Sequence, residues 1–112
     1  MTETQFKAKV QRLLTEHGVW HVKFMGNRFT KAGVPDILAC IGGWFWGIEL
    51  KTDIGQTSPI QDYQLEQIRK AGGRAIVLRP QDLAAFRKEL ITWTNSATAA
   101  SSSGINADSP GT

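Results

Sequence analysis

Asp36 follows a proline, Glu49 and Lys51 stand two residues apart in a run of strand-forming side chains, and Gln61 comes three residues after a serine. Side chains two apart on a strand share a face, so Glu49 and Lys51 project together while Trp46, Ile48 and Leu50 go to the other side. The segments Asp36 to Ile41 and Trp44 to Lys51 are separated only by Gly42-Gly43, which predicts a tight antiparallel hairpin. Roughly in register, that hairpin brings Asp36 near the level of Glu49 and Lys51. Two carboxylates and an ammonium then converge on rigid backbone. Hydrolysis of a phosphodiester can use such a group, because a hard divalent cation held there lowers the pKa of a water and offsets charge on the phosphoryl oxygens. Mg²⁺ takes oxygen ligands and keeps several waters, so Asp36, Glu49 and a backbone carbonyl such as that of Leu50 make a plausible open site. Lys51 would orient the water or offset phosphate charge.

Each of these residues also has a plain structural reading. Glu and Lys on a strand often form a weak solvated pair, and Pro-Asp is a common turn or strand-entry dipeptide. Gln61 shares a helix face with Leu65 and Ile68, which directs its amide inward, yet Ser58-x-x-Gln61 is also a capping box. Glu3 falls on the stripe of Phe6 and Val10, aimed at the protein body, where it could join Asp36 and Glu49 around a cation; equally, it could complement the helix dipole.

The elements that must position these residues follow from periodicity. Phe6, Val10, Leu13 and Leu14 mark an amphipathic helix over residues 3–17. Residues 19–24 read as a strand with Trp20, Val22 and Phe24 on one side, followed by a glycine-containing loop that carries Arg28 and Lys31. After the hairpin and a second loop, Ser58 caps a helix that begins at Pro59 and stops at Gly72-Gly73. Residues 74–79 form a short strand, and Leu83, Phe86, Leu90 and Trp93 a last amphipathic helix. The order α-β-β-β-α-β-α predicts an α/β fold with a small mixed sheet flanked by helices. A folding unit of residues 1–94 is expected, with a Ser/Ala/Gly-rich tail, 95–112, too poor in apolar side chains to order.

Composition narrows the function classes. The chain has 112 residues, 13 basic and 10 acidic, for a net charge of +3, which permits a polyanionic partner. No run approaches the roughly 18 apolar residues that span a bilayer, so no membrane role is expected. The first residues show no secretory signal, and the single cysteine, Cys40, is expected to pack in a strand; a cytoplasmic setting follows. His17 reads as a partner for a helix C-terminus and His21 as an exposed strand residue, and no Cys or His pair has zinc spacing.

Gly33-Val34-Pro35-Asp36, Gly47-Ile48-Glu49-Leu50-Lys51, Gly55 with Ser58-x-x-Gln61, and Ala71-Gly72-Gly73-Arg74-Ala75 together resemble the VRR-NUC domain, a branch of the PD-(D/E)XK nuclease superfamily. The likeness covers roughly residues 3–79. It implies a restriction-endonuclease-like fold and Mg²⁺ or Mn²⁺ dependence. It also implies catalytic roles for Asp36, Glu49 and Lys51, with Gln61 and Glu3 as supporting site residues. Short stand-alone members of this kind occur in phages and bacteria and look like homodimeric, structure-selective nucleases similar to Holliday-junction resolvases. On that reading Lys23, Arg28, Lys31, Arg69, Lys70 and Arg74, with Arg79, are candidates for DNA phosphate contacts. The Trp44 or Trp46 side of the hairpin is a candidate dimer surface, against a plain role in the core. The competing functional reading is a catalytically silent nucleic-acid-binding domain of the same fold; an interaction module whose Glu49 and Lys51 merely pair is a third.

Overall fold

Phe6, Val10 and Leu14 are buried along one side of α1, Glu3–Glu16, whose first turn is closed by a capping box between Thr2 and Gln5. In this computed structural model, which describes residues 1–102 and side chains through Asn95, α1 is followed by β1 (Trp20–Lys23), β2 (Ile37–Ile41) and β3 (Trp44–Leu50). Then come α2 (Pro59–Lys70), β4 (Arg74–Leu78), a short 3₁₀ turn (Pro80–Asp82) and α3 (Leu83–Ser102). The order matches the one read from the sequence, with the 3₁₀ turn added.

One four-stranded sheet, β1-β2-β3-β4, organises the chain. The first three strands are antiparallel, and β4 lies parallel to β3, which it reaches through α2. Gly42 and Gly43 both hold positive φ, as the favoured two-residue hairpin turn requires. Ile37, Ala39, Ile41, Trp46, Ile48 and Leu50 pack on one face with Leu78, against Phe6, Val10 and Leu14 of α1 and Phe86 and Leu90 of α3.

The second face is only half covered. α2 packs over β3 and β4 closely enough that a Cβ at Gly47 would meet Ile68 at 2.7 Å and Pro35 at 3.0 Å. Strand pairing aligns Trp20, Cys40 and Phe45 in one cross-strand row, and Val22, Leu38 and Gly47 in the next. Trp20, Val22, Cys40 and Phe45 of these rows are exposed. The expectation that Cys40 packs in the interior is thus corrected: its strand is apolar, but it points to the side that α2 does not reach. Trp46 takes the core alternative, 1 % exposed and edge-on to Phe86 and Trp93, while Trp44 is half exposed beside Trp93.

α3 continues past Thr94, where the unordered tail was expected to begin, as far as Ser102. Ala97, Ala99 and Ala100 in this stretch are strong helix formers. Residues 103–112 of the expected tail lie outside the described residues. No helix among the described residues is long and apolar enough to cross a membrane.

Candidate active site

Continuing the β2–β3 register one step beyond Ile37↔Ile48 sets Asp36 opposite Glu49, in a third row beside the two apolar ones. Phe24 completes it, its N–H donating to the Asp36 carbonyl at 2.8 Å. Backbone also fixes the Asp36 carboxylate: Oδ2 accepts the Leu50 N–H at 2.9 Å. Leu50, expected to offer a carbonyl to a cation, is therefore tied to Asp36 through its amide.

Glu49 is 2 % exposed and is the buried charged residue among those described. Its Oε2 accepts from Gln61 Nε2 at 3.2 Å and lies 3.5 Å from Lys51 Nζ. Burial pushes the Glu49 carboxyl up to about 7; the Asp36 carboxylate beside it, in hydrogen-bond contact, adds to the rise, and Lys51 offsets only part of it. Glu49 and Lys51 thus share a face as periodicity required, and Asp36 joins them.

Gln61 resolves its two readings by serving both. Its Oε1 accepts the Ser58 N–H at 2.9 Å and its backbone N–H donates to Ser58 Oγ at 3.3 Å, while Nε2 turns to Glu49. The capping box fixes which end of the amide faces the carboxylate, since Ser58 N–H can be met only by the oxygen.

Glu3 is not brought into this group. It is exposed on the first turn of α1, and among the described residues no three His, Cys, Asp or Glu side chains cluster as a metal site. The stripe that it shares with Phe6 and Val10 is real, but residues 1–5 are all exposed, so the core begins only at Phe6. Acidic donors at the site are therefore Asp36 and Glu49. The pair still fits a small hard cation. A carboxyl buried against a second one is costly when ionised, a cation offsets both charges, and Mg²⁺ fills the remaining positions with water.

The six basic candidates divide. Arg28 and Lys31 lie exposed on the β1–β2 loop that leads into Asp36. Lys23 pairs with Ile37, placing it on the sheet face away from Asp36 and Glu49. Arg69, near the far end of α2 from Gln61, donates twice to the Ala75 carbonyl at 3.2 and 2.7 Å and pairs with Glu66. Arg74 stacks on Trp46 and Trp93 and binds Glu89 at 3.0 Å. Both guanidiniums are spent on the fold, and Lys70 is exposed in the last turn of α2.

Arg79 belongs to the site's frame in a way that spacing could not disclose. Its Nη1 donates to the Thr52 and Gly55 carbonyls, each at 2.7 Å, and so holds the loop that follows Lys51. His17 Nδ1 meets the Leu13 carbonyl at the end of α1, and His21 Nδ1 meets that of Val19; neither approaches the carboxylates through those bonds.

No family model matches the sequence, and no curated protein does either. Solved structures do. A "VRR_NUC domain protein" superposes with a TM-score of 0.67 at 21% identity, over 83% of this chain and 90% of that one. A second "VRR_NUC domain" structure gives 0.63 at 22% identity, over 80% and 94%. Hjc of Archaeoglobus fulgidus, a Holliday junction resolvase from an archaeal hyperthermophile, gives 0.55 at 25% identity, over 68% of this chain and 66% of the resolvase. The chain therefore has the restriction-endonuclease-like fold of the VRR_NUC domain structures, in agreement with the resemblance carried by its motifs.

Proposed function

We propose that this chain is a metal-dependent nuclease that hydrolyses phosphodiester bonds in DNA, acting as an endonuclease with preference for branched substrates such as four-way junctions. The observation that carries the reading is the pairing of Asp36 with Glu49, a carboxyl 2 % exposed and raised to about 7 beside a second acid. Such a pair lowers stability at neutral pH, and an arrangement of that kind in a fold shared with nucleases is one that chemistry uses.

Asp36 and Glu49 would hold Mg²⁺ or Mn²⁺. When bound, the cation supplies Lewis acidity to the attacking water and to the phosphoryl oxygens. Leu50 N–H and Gln61 keep the two carboxylates in fixed rotamers, so no reorganisation is needed as charge develops. Lys51, one-fifth exposed, has its ammonium within 3.5 Å of Glu49 and open enough to meet a phosphate oxygen or orient the water. Arg28 and Lys31, on the loop that leads into Asp36, supply positive charge for the DNA backbone around that end of the sheet.

The branched-DNA preference draws support from the likeness to the resolvase. A homodimer is part of the proposal, because cleaving both arms of a two-fold symmetric junction takes two sites. The open rows of Trp20, Val22, Cys40 and Phe45 suit its interface better than the hairpin side of Trp46, which is buried.

The test is cleavage of supercoiled plasmid, linear duplex and a four-way junction by the purified chain in Mg²⁺, in Mn²⁺ and in EDTA. Cleavage in the metal buffers and none in EDTA is expected. DNA binding without cleavage in any of them would favour the silent binding domain instead.

A further inference from the structure

The three most exposed large apolar side chains among the described residues are Ile54, 88 %, Phe29, 83 %, and Met25, 72 %. All three stand on the loops that leave one end of the sheet, the end at which Asp36 leads into β2 and β3 closes at Leu50, next to Glu49. Large apolar groups exposed on loops at the end of the sheet that carries Asp36 and Glu49 are not explained by folding, which would bury them.

Phe29 has the most definite setting. Asn27 Oδ1 accepts the Phe29 N–H at 2.8 Å, Thr30 Oγ1 accepts the Asn27 N–H at 2.9 Å, and the Thr30 N–H and hydroxyl both donate to the Asn27 carbonyl. These bonds lock the turn, and its ring projects from a fixed base. The loop is pinned at both ends, by Phe24 N–H on the Asp36 carbonyl and by Gln64 Nε2 on the Ala32 carbonyl of the loop's last turn, at 3.0 Å. Arg28 Cζ lies 4.8 Å from the Phe29 ring centroid. An exposed aromatic ring on a pinned turn, with a guanidinium stacked on it and a further exposed cation at Lys31, has the chemistry of a stacking surface for nucleobases: π-face for the base, positive charge for its phosphate.

We propose that Phe29, with Arg28, is a stacking platform for an unpaired or extruded nucleobase next to the cleavage site, so that the chain distinguishes interrupted from continuous duplex through this ring. The proposal rests on the nuclease reading for its setting, and it names the substrate feature that the site selects. A continuous duplex has every base stacked internally and offers this ring nothing; a bulge, junction or flap offers a free base face.

Binding is measured in EDTA, where nothing is cut, using a duplex with one 2-aminopurine in a single-base bulge and the same oligonucleotide fully paired. The wild-type chain should bind the bulged DNA more tightly and change its 2-aminopurine emission. Phe29→Ala should weaken binding to the bulged DNA by about tenfold, abolish the emission change and leave affinity for paired duplex unaltered. Phe29→Trp should restore both, and Phe29→Leu, apolar without a π-face, should restore neither. Equal losses on both DNAs, or none on either, would overturn the proposal, as would a Phe29→Ala change in oligomeric state with discrimination intact. Metal-dependent plasmid cleavage is assayed separately, so an inactive wild-type chain that still discriminates would defeat the nuclease reading and leave the platform standing.

Discussion

Gln61 divides its amide between Ser58 and Glu49: the oxygen accepts the Ser58 N–H at 2.9 Å and the nitrogen donates to Glu49 Oε2 at 3.2 Å. One side chain thereby caps α2 and orients the buried carboxylate. Gln61→Glu separates the two tasks, because a carboxylate still closes the capping box but faces Glu49 with like charge. It should melt within about 1 kcal/mol of wild type yet lose cleavage, whereas Gln61→Ala should lose both the cap, at roughly 1 kcal/mol, and much of the rate. Thermal melts and initial rates on a common DNA substrate read the two effects; a fully active Gln61→Glu would refute the orienting role.

Asp36→Asn keeps an oxygen for the Leu50 N–H, so the hairpin end should stay in place while the negative charge disappears. Cleavage should fall by about a hundredfold or more, with the melting temperature little changed. Lys51→Ala should lower the rate by a similar factor and leave most DNA binding intact. Near-normal turnover by either variant would mean that the chemistry lies elsewhere.

The raised Glu49 carboxyl has a signature in stability. Between its ordinary value of 4.5 and about 7 the folded chain holds a proton that the unfolded chain has released, so stability falls as pH rises through that window. The loss is about 3 kcal/mol if the whole shift acts on folding. Glu49→Gln has no proton to lose, so in EDTA its advantage over wild type should be small at about pH 5, grow as the pH rises to about 7 and level off above it. Mg²⁺ should stabilise the wild type above that pH and do little for the variant. Parallel stability curves for the two proteins in EDTA would show that burial does not govern this group.

Arg79→Met removes both hydrogen bonds to the Thr52 and Gly55 carbonyls while keeping most of the side chain's length. A loss of about 1–3 kcal/mol is expected, together with faster proteolysis within residues 52–57. An unchanged digestion pattern would show that the loop is held by other contacts.

Truncation after Asn95 should leave cleavage unaltered, since among the described residues Trp93 is the last side chain of α3 packed against the core. A large drop in rate would assign the C-terminal stretch a part in substrate binding.

Much of the fold was legible because its signals are periodic. The stripe of Phe6, Val10 and Leu14, the alternation through Glu49 and Lys51, and the glycine pair of the hairpin each reflect a local geometric rule. The facing of Asp36 and Glu49 followed from strand register alone. What stayed hidden depends on partners far away in sequence. Arg74 looked like a phosphate ligand until Trp46 and Trp93 closed around it, and Arg69 until the Ala75 carbonyl took its guanidinium. Cys40 looked internal because alternation cannot say how far a covering helix extends. Glu3 failed for a related reason: helical spacing fixes the side on which a residue lies, while the reach of the core along that side is a tertiary fact.

The hydrogen bonds on the two acids carry a consequence for ion choice. Leu50 N–H engages Oδ2 of Asp36, and Gln61 with Lys51 engages Oε2 of Glu49, so each acid keeps its second oxygen clear of those donors. Ca²⁺ favours six to eight ligands and readily takes both oxygens of a carboxylate, whereas Mg²⁺ is satisfied by single oxygens in an octahedron completed by water. If Asp36 and Glu49 hold the proposed cation, the donors that keep them still would also favour single-oxygen ligation, and with it Mg²⁺ over the larger ion.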